Sequence, residues 1–338
     1  MFYECLEKYN DRIICDLKLD DIVEYYRNDA FRIIKLYPYQ NIPENMIWSI
    51  LTSGKYSIHA KQMDENIKNQ NILYIRNCID NKEPINIVLA GLPGKCANRN
   101  KVFHSLPDIG EFAILSRFEQ LDTIIKTIHS PGIKVNFMSD YIGLKITFFP
   151  IVNEINQYIE KIQSWKSLFN LDYNIYLITK ILPELEIMEK KFILQEIPIL
   201  LKNIPFMKFE SQLLNSINDN INMRKAQEFY KEFFYNINHD EILKISYTYY
   251  KYFWKFFSEK NSVQNFFGNC IYASPVAYHP EKRLCFRLQS RIARIAPWNG
   301  VGYISKNKIY SIDERICNSK GYSKIYDVKN YFWGYTGI

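Results

Sequence analysis

The chain lacks the features typical of a secreted, disulfide-bonded or membrane-spanning protein. Its seven cysteines are odd in number, scattered, and form no C-x-x-C pair, which argues against a disulfide framework or a structural zinc site. No uninterrupted apolar run reaches the length of about 20 residues that a membrane span requires. The start MFYECLEKYNDR carries acids and does not resemble a signal peptide. We therefore expect a soluble cytoplasmic protein with reduced thiols and no membrane partner.

A concentrated charge of one sign is also missing. The formal net charge is +7 over 338 residues, and basic residues are mixed with acids along most of the chain. Because nucleic-acid-binding proteins usually concentrate their basic residues on one face, we expect no nucleic-acid partner. RNA binding through a basic loop and Arg287, Arg291 and Arg294 is the weaker alternative. Small anionic substrates explain the charge balance equally well.

Hydrophobic residues make up 47% of the sequence, which is enough to bury a large core. Periodicity and chain breakers divide the chain into four segments. We predict a mainly helical segment from 1 to 84, a β-α-β core from 85 to 150, a mainly helical insertion from 151 to 268, and strands from 269 to 338 that pack on the core. The fold class is therefore α/β, with a Rossmann-like core and a C-terminal strand-rich segment that completes the site.

The core segment is the best-defined part of the pattern. Residues 85–91 (INIVLAG) and 134–138 (KVNFM) predict two buried strands. Between them, apolar residues recur at helical spacing from 109 to 128, and Ser130-Pro131-Gly132 ends that helix. Residues 145–149 are a candidate for a further strand. Because ligands of such units bind outside the carboxyl ends of the strands, we expect the site there.

The loop from 91 to 111 (GLPGKCANRNKVFHSLPDIGE) lies at that edge and has a composition suited to phosphate. Glycine allows close backbone approach, and lysine and arginine supply positive charge. The loop matches neither the P-loop nor the dinucleotide-binding pattern, so neither a nucleotide triphosphate nor NAD is implied. A solvated basic loop is the simpler alternative. Asp108 and Glu111 stand three apart at the predicted helix start, which favours a capping box over catalysis.

Two sequence blocks carry distinctive short motifs. The first block has the pattern P-x-K-x-x-N-x-x-K-V, then P-D-x-G-E, then S-D after a strand. Its matching residues are Pro93, Lys95, Asn98, Lys101, Val102, Pro107, Asp108, Gly110, Glu111, Ser139 and Asp140. The second block has His279-Pro280, an alternating run from 284 to 288, and the sequence APWNGV from 296 to 301. In this order the two blocks resemble the amino-acid isonitrile (isocyanide) synthases, also called the pyoverdine/dityrosine biosynthesis family. The family typically shows Thr-Pro-Trp-His-Gly-Val in the second block, so Asn299 stands where the family has a histidine.

The resemblance implies a cofactor-independent reaction. The amine of an amino acid, tyrosine or tryptophan favoured, joins the keto carbon of ribulose-5-phosphate, and the sugar is then cleaved to leave an isonitrile. Such chemistry requires a phosphate clamp, a carboxylate clamp and acid/base groups. The expected partners are these small molecules, with a downstream oxygenase as a candidate consumer of the product. Because the amide of Asn299 cannot move protons, the alternative is a non-catalytic phosphosugar- or amino-acid-binding or effector protein on the same fold.

The resemblance assigns a role to each matched residue. Lys95, Asn98 and Lys101 are expected to contact the sugar phosphate. The residues assigned to catalysis are Lys95, Glu111, Asp140 and His279. Those assigned to substrate binding are Asn98, Lys101, Asp108, Arg287, Trp298 and Asn299.

For several of these residues a structural role remains open. Asp140 is an amine anchor or base, or else a helix cap. Arg287 is a bidentate clamp on the substrate carboxylate, or else half of a structural ion pair. His279 is a proton shuttle or a turn histidine, and Trp298 is a pocket wall or a core tryptophan.

Overall fold

The structure, a computed structural model, contains two six-stranded sheets with helices packed around them. It describes residues 2–9, 11–37, 41–95, 102–204, 207–234, 237–275, 281–287, 297–305 and 308–337. The strands in chain order are β1 Tyr3–Tyr9, β2 Arg12–Leu17, β3 Ser57–Ile58, β4 Ile85–Ala90, β5 Ile133–Ser139, β6 Asp172–Leu177, β7 Ile271–Ser274, β8 Leu284–Phe286, β9 Val301–Ser305, β10 Lys308–Ile312, β11 Ser323–Tyr326 and β12 Phe332–Thr336.

Helices occupy most of the remaining chain. In chain order they are α1 Leu19–Ile34, α2 Pro43–Leu51, α3 Glu65–Asn81, α4 Ile109–Lys126, α5 Lys145–Phe148, α6 Val152–Ser164, α7 Ile178–Ile181, α8 Leu185–Lys191, α9 Ile197–Asn203, α10 Ser211–Asn220, α11 Met223–Lys231, α12 His239–Glu259, α13 Ser262–Phe267 and α14 Glu314–Ser319. In the described part of the chain, no helix is both long and apolar enough to cross a membrane.

The first sheet has the strand order β3-β8-β7-β4-β5-β6 and confirms the predicted β-α-β unit. β4 and β5 are parallel, with Ile85 opposite Ile133 and Ala90 opposite Met138, and α4 connects them. β7 also runs parallel to β4, and β8 parallel to β7. Each of these strands is buried on both faces, which explains its apolar, β-branched sequence.

The second sheet joins the two ends of the chain, in the order β1-β2-β11-β12-β9-β10. β2 pairs in parallel with β11, so an N-terminal hairpin completes a sheet built otherwise from C-terminal strands. β9 and β10 pair in an antiparallel arrangement at the other edge of this sheet. The prediction of a helical start is wrong for residues 3–17, because Ile13 and Cys15 alternate into the core as strand residues.

One further prediction is corrected by the structure, because Lys145–Phe148 form the one-turn helix α5 and not a strand. The insertion from 151 to 268 is mainly helical, but β6 (Asp172–Leu177) lies within it and extends the first sheet beside β5. Its longest helix, α12, is capped by Asn238, which forms a capping box with Glu241.

Helix α4 lies between the two sheets and contacts both of them. Most of its side chains are buried, from Ile109 to Ile125, which is why its apolar residues are not confined to one face. Phe112 contacts Trp165 edge-on, and Phe118 does the same with Phe137 on β5. These contacts hold the N-terminus of α4 beside the carboxyl ends of the parallel strands in the first sheet.

Candidate functional site

A cavity of about 260 Å³ lies at the carboxyl ends of the parallel strands. Ala90 and Gly91 at the end of β4, Asp140 after β5, and Ser274 at the end of β7 contribute to its wall. β4 and β7 are neighbours in the sheet. From β4 the chain continues to β5, towards one edge of the sheet, whereas from β7 it continues to β8, towards the opposite edge. Such a change of direction opens a crevice between neighbouring strands. The cavity therefore lies where the sequence predicted the site.

The walls of this cavity are largely aromatic. Trp298, in the turn before β9, covers Gly91 closely, and a Cβ at Gly91 would meet its ring at 3.4 Å. Tyr141 and Phe148 stack against each other in a tilted pair with ring centroids 5.2 Å apart. Helices α10 and α12 of the insertion close the cavity with further side chains, which are Leu213, Ser216, Asn220, Tyr250 and Trp254. The insertion therefore helps to enclose the site.

The cavity also has a charged part, formed by Asp140 and Arg283. Burial raises the pKa of the Asp140 carboxyl to about 7. Arg283 donates from Nη1 to the Tyr272 hydroxyl at 3.3 Å, and its guanidinium lies 4.7 Å from the centre of that ring. The cavity thus offers one acid poised near neutrality and one permanent cation.

Asn299 lies in the same wall and is held by Tyr141. The Tyr141 hydroxyl donates to Asn299 Oδ1 at 3.0 Å. The amide is only partly buried. Asn299 therefore presents a neutral hydrogen-bonding group to the cavity, and it cannot take up or release a proton at neutral pH.

Lys95 is not part of the cavity wall but is buried in a separate ionic cluster. Its Nζ lies 2.6 Å from Asp108 Oδ2 and 3.1 Å from Glu111 Oε2, with all three side chains 0% exposed. Asp108 and Glu111 also form the predicted capping box at the start of α4. In this arrangement both carboxylates bind Lys95 and the helix terminus, and the ammonium group does not face solvent.

His104 and Glu314 extend the ionic cluster towards the second sheet. His104 Nε2 lies 3.1 Å from Asp108 Oδ2, and its Nδ1 lies 3.5 Å from Glu314 Oε2. The backbone N–H of Phe103 donates to Glu314 at 2.6 Å. Tyr158 donates from its hydroxyl to Glu111 Oε1 at 3.2 Å.

Burial and neighbouring charges shift the pKa of each ionisable group in this cluster. Burial by itself would lower the pKa of Lys95, but the charges of Asp108 and Glu111 raise it overall. Burial and Lys95 would lower the pKa of His104, but its hydrogen bonds to Asp108 and Glu314 raise it. Burial raises the pKa of Glu111 to about 7, although the charge of Lys95 opposes this rise. The pKa of Asp108 lies far below its usual range, because the effects of Lys95 and His104 outweigh that of burial. Asp108 and Glu314 therefore carry the negative charges that balance Lys95 and His104. Glu111 binds a proton at a higher pH than either of these two acids.

Gly302 on β9 explains how the second sheet approaches α4 so closely. Its N–H donates to both oxygens of Asp108 at 3.1 Å. A Cβ at this position would lie 2.3 Å from Ile109 Cγ2 and 2.7 Å from the Gly110 nitrogen. Only glycine leaves room for this hydrogen bond.

The structure brings some of the predicted residues together and separates others. Asp140, Trp298 and Asn299 share the cavity, whereas Lys95, Asp108 and Glu111 form the buried cluster. Arg287 reaches neither, because it lies with Tyr56 and Arg117 at a small separate cavity beside β3. Asn98, Lys101 and His279, as well as Arg291 and Arg294, lie outside the described residues.

Sequence reasoning missed Arg283 and His104. Arg283 is in the polar turn before β8, and nothing in that turn distinguishes it from its neighbour Lys282. His104 lies in the loop between β4 and α4, and its contact with Asp108 depends on a loop conformation that the residue spacing does not predict. No group of three or more His, Cys, Asp or Glu residues in the described part of the chain is arranged to hold a metal ion.

Known proteins resemble this chain in two ways. Residues 75–164 match the sequence family described as pyoverdine/dityrosine biosynthesis protein. The L-tryptophan isonitrile synthase AmbI1 of Fischerella ambigua (strain UTEX 1903) is 36% identical over 66 residues, which are 20% of this chain and 21% of that protein. AmbI2, an L-tryptophan isonitrile synthase of the same organism, is 36% identical over 62 residues, or 18% and 19% of the two chains. The alignments thus span about a fifth of these curated relatives.

The fold resemblance extends further than the sequence resemblance. The crystal structure of the PvcA protein from Pseudomonas aeruginosa superimposes with a TM-score of 0.59, covering 92% of this chain and 99% of that one at 16% identity. The two proteins share their mixed α/β fold. The strand-loop-helix-strand unit that carries the cavity and the ionic cluster falls within the matched sequence region.

Proposed function

We propose, from the premise that the chain belongs to the pyoverdine/dityrosine biosynthesis family, that it is an isonitrile synthase-like enzyme. Its substrate would be an aromatic amino acid, tyrosine or tryptophan, whose amino group becomes the isonitrile. The observation that carries this proposal is the cavity that combines aromatic walls with Asp140 and Arg283. An aromatic amino acid needs this combination of an apolar slot and paired polar groups.

The aromatic walls account for binding of the side chain. Trp298, Tyr141 and Phe148 line the cavity together with Trp254, and aromatic rings pack favourably against each other in offset or edge-on arrangements. Trp298 is 7% exposed and is fixed against Gly91. A preformed aromatic slot of this kind binds with little loss of conformational entropy.

The polar groups account for binding and activation of the amino-acid end. The fork of N–H donors of Arg283 would bind the substrate carboxylate, and it replaces Arg287 in that role. Asp140, with its pKa raised to about 7 by burial, would accept a proton from the substrate ammonium. The free amine then has the lone pair that attack on a carbonyl carbon requires.

The proposed carbon donor is ribulose-5-phosphate, and no cofactor is invoked. Condensation of the amine with the keto carbon would release water. Removal of a proton, departure of phosphate and cleavage of the carbon–carbon bonds on either side of the former keto carbon would then leave that carbon on the nitrogen as the isonitrile. Asp140 would serve as the base in these steps. Asn299 would hold a substrate oxygen or nitrogen through its amide without exchanging a proton. A downstream oxygenase would be a consumer of the product.

The test of this proposal is a mass-spectrometric assay of the purified protein. It is incubated with ribulose-5-phosphate isotopically labelled at the keto carbon and with a pool of amino acids, while phosphate release is followed in parallel. We expect the label in a tyrosine- or tryptophan-derived isonitrile. Phosphate release without label transfer, or no reaction with any amino acid, would contradict the proposal.

Asn299 supports a second candidate function, which is binding of the same ligands without turnover. The group that the family provides as a proton carrier is here an amide held by Tyr141. Calorimetric titration with tyrosine, tryptophan and ribulose-5-phosphate distinguishes the two candidates. Saturable binding together with absence of product in the labelling assay favours a binding or effector protein.

A further inference from the structure

A second cavity, of about 390 Å³, adjoins the aromatic cavity and is basic. Among its described lining residues, Lys251, Lys255, Lys282 and Arg283 carry positive charge, and none carries negative charge. The wall also contains the neutral polar residues Ser258, Asn261, Ser262 and Gln264, and the apolar or aromatic residues Trp254, Phe257, Val263 and Tyr272. A concave site with several cations and hydroxyl or amide groups has the chemistry of a phosphate-binding pocket.

The two cavities share part of their walls. Trp254 and Arg283 line both of them. Tyr272 lines the basic cavity and receives the hydrogen bond from Arg283. The charge of Asp140, on the aromatic side, contributes to raising the pKa of Tyr272. The two cavities are therefore neighbours, with Arg283 and Trp254 between them.

The two lysines of α12 that line this cavity form ion pairs with acids outside its described wall. Lys251 lies 2.7 Å from Glu210 and Lys255 lies 3.8 Å from Glu259, and neither carboxylate lines the cavity. The Lys255 side chain is 76% exposed, and Lys282 is exposed as well.

Lys95, which the sequence predicted as a phosphate contact, differs from the lysines of the basic cavity. Its ammonium group contacts two carboxylates, and its side chain is 0% exposed. A dianionic phosphate placed beside Lys95 would meet the ionised carboxylate of Asp108, and two charges of like sign at close range repel each other. The basic cavity has no such acid in the described wall.

We propose that the basic cavity binds the phosphate group of a sugar-phosphate substrate, while the aromatic cavity holds the amino acid. This inference rests on the proposed function, and it assigns the phosphate to Lys251, Lys255 and Lys282 in place of Lys95, the described loop residue for which the sequence predicted that role. The phosphate end of a five-carbon sugar would occupy the basic cavity. Its carbonyl carbon would extend past Arg283 towards the amine beside Asp140.

The test is isothermal titration of the full-length protein with ribulose-5-phosphate, ribulose and inorganic phosphate at one fixed ionic strength. The variant is the double substitution Lys255→Gln and Lys282→Gln, whose side chains are exposed and do not support the core. The matched control is Lys244→Gln, because Lys244 also lies on α12 and forms an i,i+4 ion pair, with Asp240 at 2.6 Å, but lines neither cavity.

We expect the double variant to weaken ribulose-5-phosphate binding about tenfold and to leave amino-acid binding unchanged, with the control like the wild type. A comparable loss for inorganic phosphate but none for ribulose assigns the effect to the phosphate group. Unchanged affinity of the double variant for ribulose-5-phosphate would overturn the proposal, as would an equal loss for ribulose. If phosphate binding behaves as expected but no isonitrile forms, the proposed function fails and the phosphate site stands.

Discussion

Lys95 Nζ lies 2.6 Å from Asp108 Oδ2 inside the protein, with both side chains 0% exposed. This ion pair joins the loop after β4 to the N-terminus of α4, and Gly302 joins the same carboxylate to the second sheet. A buried ion pair contributes little net stability compared with apolar residues, but loss of one partner leaves an uncompensated charge. The pair therefore contributes more to the geometry around the site than to the free energy of unfolding.

Replacement of Lys95 should destabilise the protein. We expect Lys95→Met to lower the free energy of unfolding by about 3–5 kcal/mol, because Asp108 and Glu111 lose their shared cation without access to water. The measurement is urea denaturation followed by circular dichroism. Loss of activity in this variant would then report on folding and would not identify a phosphate ligand.

The matched control for Lys95 is Lys134→Met. Lys134 forms a surface ion pair with Asp172 at 3.5 Å, with the side chains 37% and 52% exposed. Such a pair contributes less than about 1 kcal/mol. Similar destabilisation by both variants would contradict the importance of the buried cluster.

Glu111 should make stability depend on pH in a specific direction. Burial raises the pKa of its folded-state carboxyl to about 7, above the ordinary value of about 4.3 for the unfolded chain. The contribution of Glu111 to stability is therefore fully present below pH of about 4.3 and is lost as the pH rises through about 7. We expect Glu111→Gln, which keeps the oxygen that caps α4, to reduce this slope in a plot of unfolding free energy against pH. It should leave the part that Asp140 contributes, because burial raises the pKa of Asp140 to about 7 as well. A plot with the same slope for both proteins would show that Glu111 is not the group responsible.

Asp140 should control the pH dependence of catalysis. A base must be ionised to accept a proton, so wild-type kcat/KM should rise with pH through about 7, the pKa to which burial raises Asp140. Asp140→Asn should lower turnover about 10²- to 10⁴-fold while the amino acid still binds. An Asn variant that keeps both its rate and the rise with pH would exclude Asp140 as the base.

Arg283 and Arg287 offer a paired test of the carboxylate site. Arg283 lines the aromatic cavity, whereas Arg287 lies beside Tyr56 and Arg117. We expect Arg283→Gln to raise KM for the amino acid about tenfold or more, because a charged hydrogen-bond donor to the carboxylate is lost. Arg287→Gln should leave that KM unchanged. The opposite pattern in steady-state kinetics would restore Arg287 as the carboxylate ligand.

Asn299→His should raise turnover if the protein is an isonitrile synthase limited by proton transfer. Histidine titrates near neutrality and can carry the proton that the amide cannot, and a gain of about tenfold or more is expected. The control is Asn220→His, which adds a histidine elsewhere in the same cavity wall. Equal rates for the wild type and both variants would indicate that the position does not limit the reaction.

Local sequence signals predicted the core unit well. β4, α4 and β5 all lie close to their predicted limits, because buried parallel strands and helices have distinct apolar periods. The Asp108–Glu111 capping box followed from the spacing of two residues. β6 was missed because an isolated strand within helical sequence becomes a strand only by pairing with β5. The N-terminal hairpin was missed for the same reason, since its partner β11 lies some 300 residues further along the chain.

The sequence by itself determined the β-α-β unit and the edge of the sheet at which the aromatic cavity lies, and its short motifs indicated the resemblance to the family. Those properties depend on neighbouring residues and on short motifs. Only the tertiary structure decided which charges are buried and which face a cavity. It placed Lys95 between two carboxylates, Arg287 away from the site, and Arg283 within it. The physical reason is that burial and ion pairing are set by packing between segments far apart in the chain, and residue spacing carries no information about that packing.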